Sequence, residues 1–371
     1  MKRLFIQMLN LWFLSAIAIS AAGSDELMLT LPPVIYAAPG QTSGFYFDNI
    51  ILSETPNEFT YTVTCKIGTK EERRYIFNPG PKDAGTYPLR ITVSSEGSEL
   101  GRADAVVKVA GPEAGKGIQL KLLVVGDSLT GASVYPNELY KFLTTGGISV
   151  TMFGTSAAGG RLQGVQHEGY GGWTWNNFLT RIEKEAAKVY NVRTSPFIFV
   201  DENGSGEFSI EKYFEKHCGG TGPDLVTFLL GINDCFSFDP SGYDFNSRID
   251  SVLNIAEEVI TAFHEASPKT ALAFCLTTAP NARQGAFQAN YGDRYTRWNW
   301  KNIQHRLVIS QLKKFSGRED ENIFIVPTQL WIDPIDGYPE NNAVHPNAAG
   351  YRQIASSIFC WTMNWLETRK K

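Results

Sequence analysis

After residue 118 the chain changes its hydrophobic period, and that change fixes the class of fold. Five short apolar runs, at 120–125, 148–153, 225–230, 271–276 and 323–326, alternate with stretches of helical spacing at 175–190, 249–264, 298–315 and 350–366. Continuous apolar runs mark strands buried on both faces, and strands joined through helices lie parallel. The expected architecture of 118–371 is an α/β unit with five parallel strands and helices on both sides. In such sheets, function belongs to the loops beyond the carboxyl ends of the strands.

Before that unit the period is two. Phe59, Tyr61, Val63, Cys65 and Ile67 alternate with Thr60, Thr62, Thr64 and Lys66, and Tyr87, Leu89, Ile91 and Val93 repeat the pattern. Half-buried strands at short spacing, broken by turns such as Asn78-Pro79-Gly80-Pro81, indicate a small antiparallel β-sandwich over 25–110. Asp83-Ala84-Gly85-Thr86-Tyr87 resembles the corner of an immunoglobulin-like domain, without a Cys…Trp…Cys arrangement. The Gly- and Pro-containing stretch 111–117 reads as a linker.

Residues 1–23 differ in kind. Lys2 and Arg3 precede an apolar run at 4–19, interrupted by Gln7 and Asn10, and then come Ser20, Ala21, Ala22 and Gly23. A basic start, an apolar middle and small residues make a signal peptide, so a secreted, periplasmic or cell-surface protein is expected. No later run reaches 18 apolar residues, and no integral membrane segment is expected after signal cleavage. The whole chain has 34 Lys+Arg and 38 Asp+Glu; without Lys2 and Arg3 the balance is 32 − 38 = −6. With no basic field, nucleic acid is not an expected partner. The odd number of cysteines, five, argues against a disulfide scaffold, and Cys218 and Cys235 flank a strand too long for them to bridge.

Three motifs fall at strand ends. The first strand runs into Gly126-Asp127-Ser128-Leu129, which puts a serine on a tight turn where the next backbone N–H can face an oxyanion. The third ends in Gly231-Ile232-Asn233-Asp234, where Asn233 offers an uncharged N–H donor. Asn342-Ala343-Val344-His345-Pro346 precedes the last helix, where His345 is placed to act as general base. Taken alone, these are a helix cap, a turn residue and a structural histidine. Together on one sheet edge they indicate nucleophilic catalysis.

These residues resemble the SGNH hydrolases, or GDSL esterase/lipase family, over about 118–371. The resemblance implies a flavodoxin-like three-layer α/β/α sandwich with five parallel strands, Ser128 as nucleophile and His345 as base. It also implies an oxyanion hole from Ser128, Gly172 and Asn233. Gly172 is carried over from His167-Glu168-Gly169-Tyr170-Gly171-Gly172-Trp173-Thr174, with Gly171 as the other register. One departure stands out: the family writes Asp-x-x-His where this chain has Asn342. An amide orients an imidazole through its carbonyl oxygen but does not stabilise its charge. Three readings stay open: Asn342 orients His345, Asp333 or Asp336 substitutes, or the site is crippled.

The chain holds no Gly-x-Ser-x-Gly elbow, and no His-x-x-x-His or Cys-x-x-Cys pair, so neither an α/β-hydrolase nor a metal or other cofactor is expected. The other four histidines read as surface or helix residues. Export with an attached β-sandwich fits esters on polymers, and proteins of this build resemble carbohydrate acetylesterases. The expected partner is therefore an acetylated carbohydrate substrate, with Trp173 and Tyr291 as candidates for stacking on sugar. The competing readings are a sugar O-acetyltransferase and a non-catalytic glycan-binding protein on a degenerate fold.

Overall fold

The structure, a computed structural model, describes residues 27–183 and 192–369. The expected signal segment at 1–23, and residues 184–190 of the helix expected over 175–190, lie outside the described residues.

The N-terminal unit is built from β1 (Val34–Ala37), β2 (Ser43–Tyr46), the one-turn α1 (Phe47–Ile50), β3 (Thr60–Cys65), β4 (Thr69–Lys70), β5 (Arg74–Phe77), β6 (Gly85–Ser95) and β7 (Ser98–Val109). One sheet has the order β1-β7-β6-β3 and the other β2-β5-β4, enclosing a core that includes Phe45, Phe77, Ile91 and Val107. The period-two residues Tyr61, Leu89, Ile91 and Val93 face inward, as a half-buried strand requires. The sandwich is not wholly antiparallel, however. β1 pairs parallel to β7, from Val34↔Val106 to Ala37↔Val109. Both strands run toward the second unit, whose core takes up Ala38 and Ala110 just beyond their ends. Residues 111–117 are likewise no free tether. Ala114 is buried in that core, and the Gly111 N–H donates to Glu367 Oε2 at 3.0 Å.

The second unit follows the βα alternation: β8 (Gln119–Gly126), α2 (Ser128–Gly131), α3 (Val134–Thr145), β9 (Ser149–Phe153), β10 (Glu168–Gly169), α4 (Trp175–Thr180), the hairpin β11 (Ile198–Val200) and β12 (Gly206–Phe208), α5 (Ile210–His217), β13 (Leu225–Leu229), α6 (Ile232–Cys235), α7 (Phe245–Ala266), β14 (Ala271–Cys275), α8 (Gln284–Tyr291), α9 (Arg297–Phe315), β15 (Ile323–Val326), α10 (Thr328–Trp331) and α11 (Ala348–Arg369). The five main strands are parallel in the order β9-β8-β13-β14-β15. β10 pairs with the last two residues of β8, beyond the point where β9 leaves it. This is the three-layer, flavodoxin-like sandwich.

Its faces are assembled by strand alternation. Leu122, Val124, Ala271, Ala273 and Cys275 turn to the side of α3 and α11, where Leu139, Ile354, Ile358 and Trp361 cover them. Leu123, Val125, Leu272 and Phe274 turn to the side of α4, α5, α7 and α9. There Phe274 stacks on Phe315 with ring centroids 4.2 Å apart, a contact worth about 0.5–1.5 kcal/mol beyond its buried area. The helix expected over 175–190 ends early. At Arg181 the backbone turns extended, and its guanidinium lies 5.4 Å over the Trp173 ring and pairs with Glu183. All five cysteines are free thiols, Cys65 being only partly buried.

At the end of β8 the chain needs a residue without a side chain. A Cβ on Gly126 would collide with Thr130 Oγ1 and stand 2.9 Å from the Leu229 carbonyl oxygen of the neighbouring strand. Gly126→Ala is expected to destabilise the fold by about 1–3 kcal/mol, the usual cost of overpacking, measured by urea unfolding.

Candidate active site

Ser128 is the first residue of α2, at the carboxyl end of β8. The helix-capping role is filled by Asp127, whose Oδ1 accepts the Leu129 N–H at 2.9 Å. Ser128 Oγ is thereby left for another partner. It lies 2.9 Å from His345 Nε2, across a sequence separation of 217 residues. His345 sits in the connection between α10 and α11, and burial lowers its pKa below the ordinary 6.5.

The departure at Asn342 has a definite geometry. Asn342 Oδ1 accepts the backbone N–H of Val344 at 3.2 Å and of His345 at 2.9 Å. It therefore fixes the turn that carries the histidine and does not hold the imidazole, a correction to the role expected of its carbonyl oxygen. Asp333 and Asp336 do not substitute. Asp333 forks with Arg73 of the β-sandwich at 3.2 and 3.1 Å and also accepts the N–H groups of Ile335 and Asp336. Asp336 meets the same guanidinium at 2.8 Å. Among the described residues, His345 Nδ1 makes no hydrogen bond.

The loop after β10 brings the glycine pair to the same edge. Tyr170 N–H continues the β10–β8 pairing onto the Gly126 carbonyl, and Trp173 N–H closes a turn on the Tyr170 carbonyl at 3.2 Å. Gly172 has φ +75° in that turn, a conformation glycine adopts without strain, and it is exposed. Asn233, in α6 beyond β13, donates from Nδ2 to the Trp173 carbonyl at 3.1 Å. The amide and the glycine turn are thus tied together.

Two acids lie in the same motifs. Burial pushes Asp127 up to about 7, and burial together with the neighbouring Asp127 pushes Asp234 up to about 8. Asp234 accepts the Trp175 N–H at the start of α4. Raised this far, both carboxyls lean toward their neutral forms near neutrality, which reduces negative charge beside the serine and the asparagine.

Two residues of the glycine block are structural. Trp173 is 1% exposed, packed against Tyr170 and Phe178 with Arg181 across it, and presents no face for stacking on sugar. His167 is fully buried, not at the surface. Its Nδ1 accepts the Gly169 N–H, so the proton sits on Nε2 and is donated to Ser133 Oγ at 3.0 Å; burial holds its pKa at about 4. His305, on α9, is also buried. Tyr291 fits better. It is half-buried in a cluster with Phe287, Trp300 and Tyr295, against Ile232 beside Asn233 and Val344 beside His345.

A residue left open by sequence reasoning, Glu168, is a hub. Its buried carboxylate accepts from Thr155 N–H at 2.7 Å, Tyr213 OH at 2.6 Å, Thr155 Oγ1 at 3.1 Å and the Tyr170 hydroxyl, which fixes the glycine loop to α5. Its sequence signal is a lone acid in an apolar, aromatic block.

The family model for GDSL-like lipases/acylhydrolases matches residues 122–358, a span that contains Ser128, Gly172, Asn233 and His345. No curated protein matches the chain. Among solved structures, a family 3 carbohydrate esterase from Clostridium thermocellum is similar at 18% identity and a TM-score of 0.42, over 68% of this chain and 100% of that one. A GDSL-like lipase from Parabacteroides merdae is similar at 14% identity and 0.36, over 67% and 96%. An acetylxylan esterase from Geobacillus stearothermophilus is similar at 17% identity and 0.34, over 66% and 94%. The chain belongs to the GDSL-like lipase/acylhydrolase family, the SGNH hydrolases, and is a hydrolase acting on ester bonds.

Proposed function

We propose that this hydrolase is an exported serine esterase that removes acetyl groups from carbohydrate through an acyl-enzyme. The observation that carries the mechanism is the 2.9 Å hydrogen bond between Ser128 Oγ and His345 Nε2 at the carboxyl edge of the sheet. His345 takes the Ser128 proton as Oγ attacks the ester carbonyl. The negative charge that develops on the carbonyl oxygen falls to the backbone N–H groups of Ser128 and Gly172 and to the Asn233 amide. The protonated imidazole then gives its proton to the departing sugar oxygen. A water molecule, deprotonated by the same nitrogen, attacks the acyl-serine and releases acetate.

Support for the substrate class and location comes from different parts of the chain. The basic, apolar and small-residue order of 1–23 favours export. Among the described residues, no helix is long and apolar enough to cross a membrane. The aromatic cluster around Tyr291, flanked by Ile232 and Val344, gives the site an apolar wall suited to a sugar ring.

The first test is initial-rate hydrolysis of 4-nitrophenyl acetate, then acetate release from acetylated polysaccharides. Ser128→Ala is expected to lower kcat to the background rate while the chain stays folded. Equal rates in both proteins would overturn the nucleophile assignment. Acetyl transfer to an added sugar, in place of acetate release, would make the enzyme a transferase, and glycan binding without turnover would make it a binding protein.

The pH profile tests the base. His345 accepts a proton only when neutral, and burial disfavours its charged form, so the rising limb of kcat/KM is expected to have its midpoint below 6.5. Asn342→Asp places a negative charge beside the imidazolium, and should move that midpoint upward with kcat equal or higher. A collapse of kcat would show that the amide has a further task.

A further inference from the structure

We infer that Arg73 and Asn49 of the β-sandwich are positioning residues for His345, making the N-terminal unit part of the esterase machinery; this rests on the Ser128–His345 mechanism proposed above. His345 is held through its backbone, by Asn342 Oδ1, and among the described residues its Nδ1 has no hydrogen-bonded partner to fix the ring. Beyond the contact of its Nε2 with Ser128, its orientation then depends on how rigidly the connection from β15 to α11 is held. The later part of that connection is fixed from within the α/β unit, by Asn281 Nδ2 on the carbonyls of Pro339 and Asn342, both at 2.9 Å.

The earlier part is gripped from the β-sandwich. Asn49 Nδ2 donates to the Leu330 carbonyl at 3.1 Å and to the Ile332 carbonyl at 2.7 Å. The Leu330 side chain is buried in the sandwich core itself. Trp331 packs on Tyr46, with ring centroids 5.6 Å apart. Arg73 completes the clamp with its fork on Asp333 and its bond to Asp336. Consecutive residues 330–333 are thus each held by the other unit. Asp333, with its Arg73 partner, organises the turn at 335–336, and the Asp336 carbonyl accepts from Asn347 Nδ2, two residues past the histidine. A fork of two parallel N–H···O bonds sets direction as well as distance, which suits a group whose task is to position.

The experiment measures kcat, KM and the pH profile with 4-nitrophenyl acetate for the full chain. It compares Arg73→Ala, Arg73→Lys and Asn49→Ser with Asn364→Ala, which removes a bond between the two units from α11 to the Ala37 carbonyl, on β1. Arg73→Ala and Asn49→Ser are expected to lower kcat by about 10–100-fold, the cost of misplacing a catalytic group by about 1 Å. KM should stay within about twofold, since neither residue touches the ester. The rising limb should move up toward 6.5 as the loosened imidazole regains water. Arg73→Lys, which keeps the charge and loses the fork, should fall between. Asn364→Ala should keep the wild-type kcat and pH profile.

If Arg73→Ala does not fold, Asn49→Ser decides. A wild-type kcat in the folded clamp variants, equal losses in Asn364→Ala, or unfolding of both Arg73→Ala and Asn49→Ser would overturn the assignment and leave the β-sandwich a structural support. Ser128→Ala is read alongside. If it too were active, the catalytic reading itself would have failed; if it is dead while the clamp variants are normal, only the positioning role is lost.

Discussion

A parallel sheet has to be covered on both faces, and that requirement organises this molecule. β13 and β14 are buried at every position, so each strand sends alternate side chains into two separate cores. On β14 the small side chains of Ala271, Ala273 and Cys275 meet the bulk of α11, while Leu272 and Phe274 fill the opposite layer. With both faces consumed, the strand ends are what remain for chemistry, and the carboxyl ends of β8 and β13 carry Ser128 and Asn233. The helices that close one face also fix where the last one begins, and hence how far His345 has to reach.

The polar interior follows the same logic. A buried carboxylate is tolerated when its lone pairs are filled, and Glu168 fills them with donors from Thr155, Tyr170 and Tyr213. Burial raises all three carboxyls; Asp127 and Asp234, which accept from the Leu129 and Trp175 N–H groups, rise to about 7 and about 8. Glu168 is held for structure, whereas the other two lie beside Ser128 and Asn233. Among the described residues His345 has no carboxylate partner, and burial alone sets the direction of its shift.

The strands of the α/β unit were legible because a strand buried on both faces writes itself as an unbroken apolar run, and the motifs at their ends needed only the strand-end rule to be placed on one edge. The misreadings were tertiary. Trp173 lies in a glycine-rich loop that looks exposed in sequence, yet Tyr170, Phe178 and Arg181 enclose it. The spacing after Thr180 is helical, yet at Arg181 the backbone is extended and its guanidinium lies over the Trp173 ring. The parallel pairing of β1 was hidden because period two is the same for either strand direction. Residues 111–117 have the composition of a linker, but nothing in the composition shows that Ala114 meets the α11 face.

Asn342 shows how one substitution shifts the burden of a site onto distant parts of a chain. An aspartate at that position caps the turn, sets the imidazole and stabilises its charge. An asparagine in the geometry seen here caps the turn only, through Val344 and His345. Stabilising the charge is then left to the surroundings, and burial opposes it, so the base is weaker but already deprotonated at lower pH. Setting the ring falls to the backbone, which orients a side chain only as well as it is itself fixed. The two aspartates that precede it in the same connection, Asp333 and Asp336, are paired with Arg73. Charge that would otherwise serve the imidazole directly goes into fixing the connection that carries it. That arrangement requires a second unit to supply the arginine.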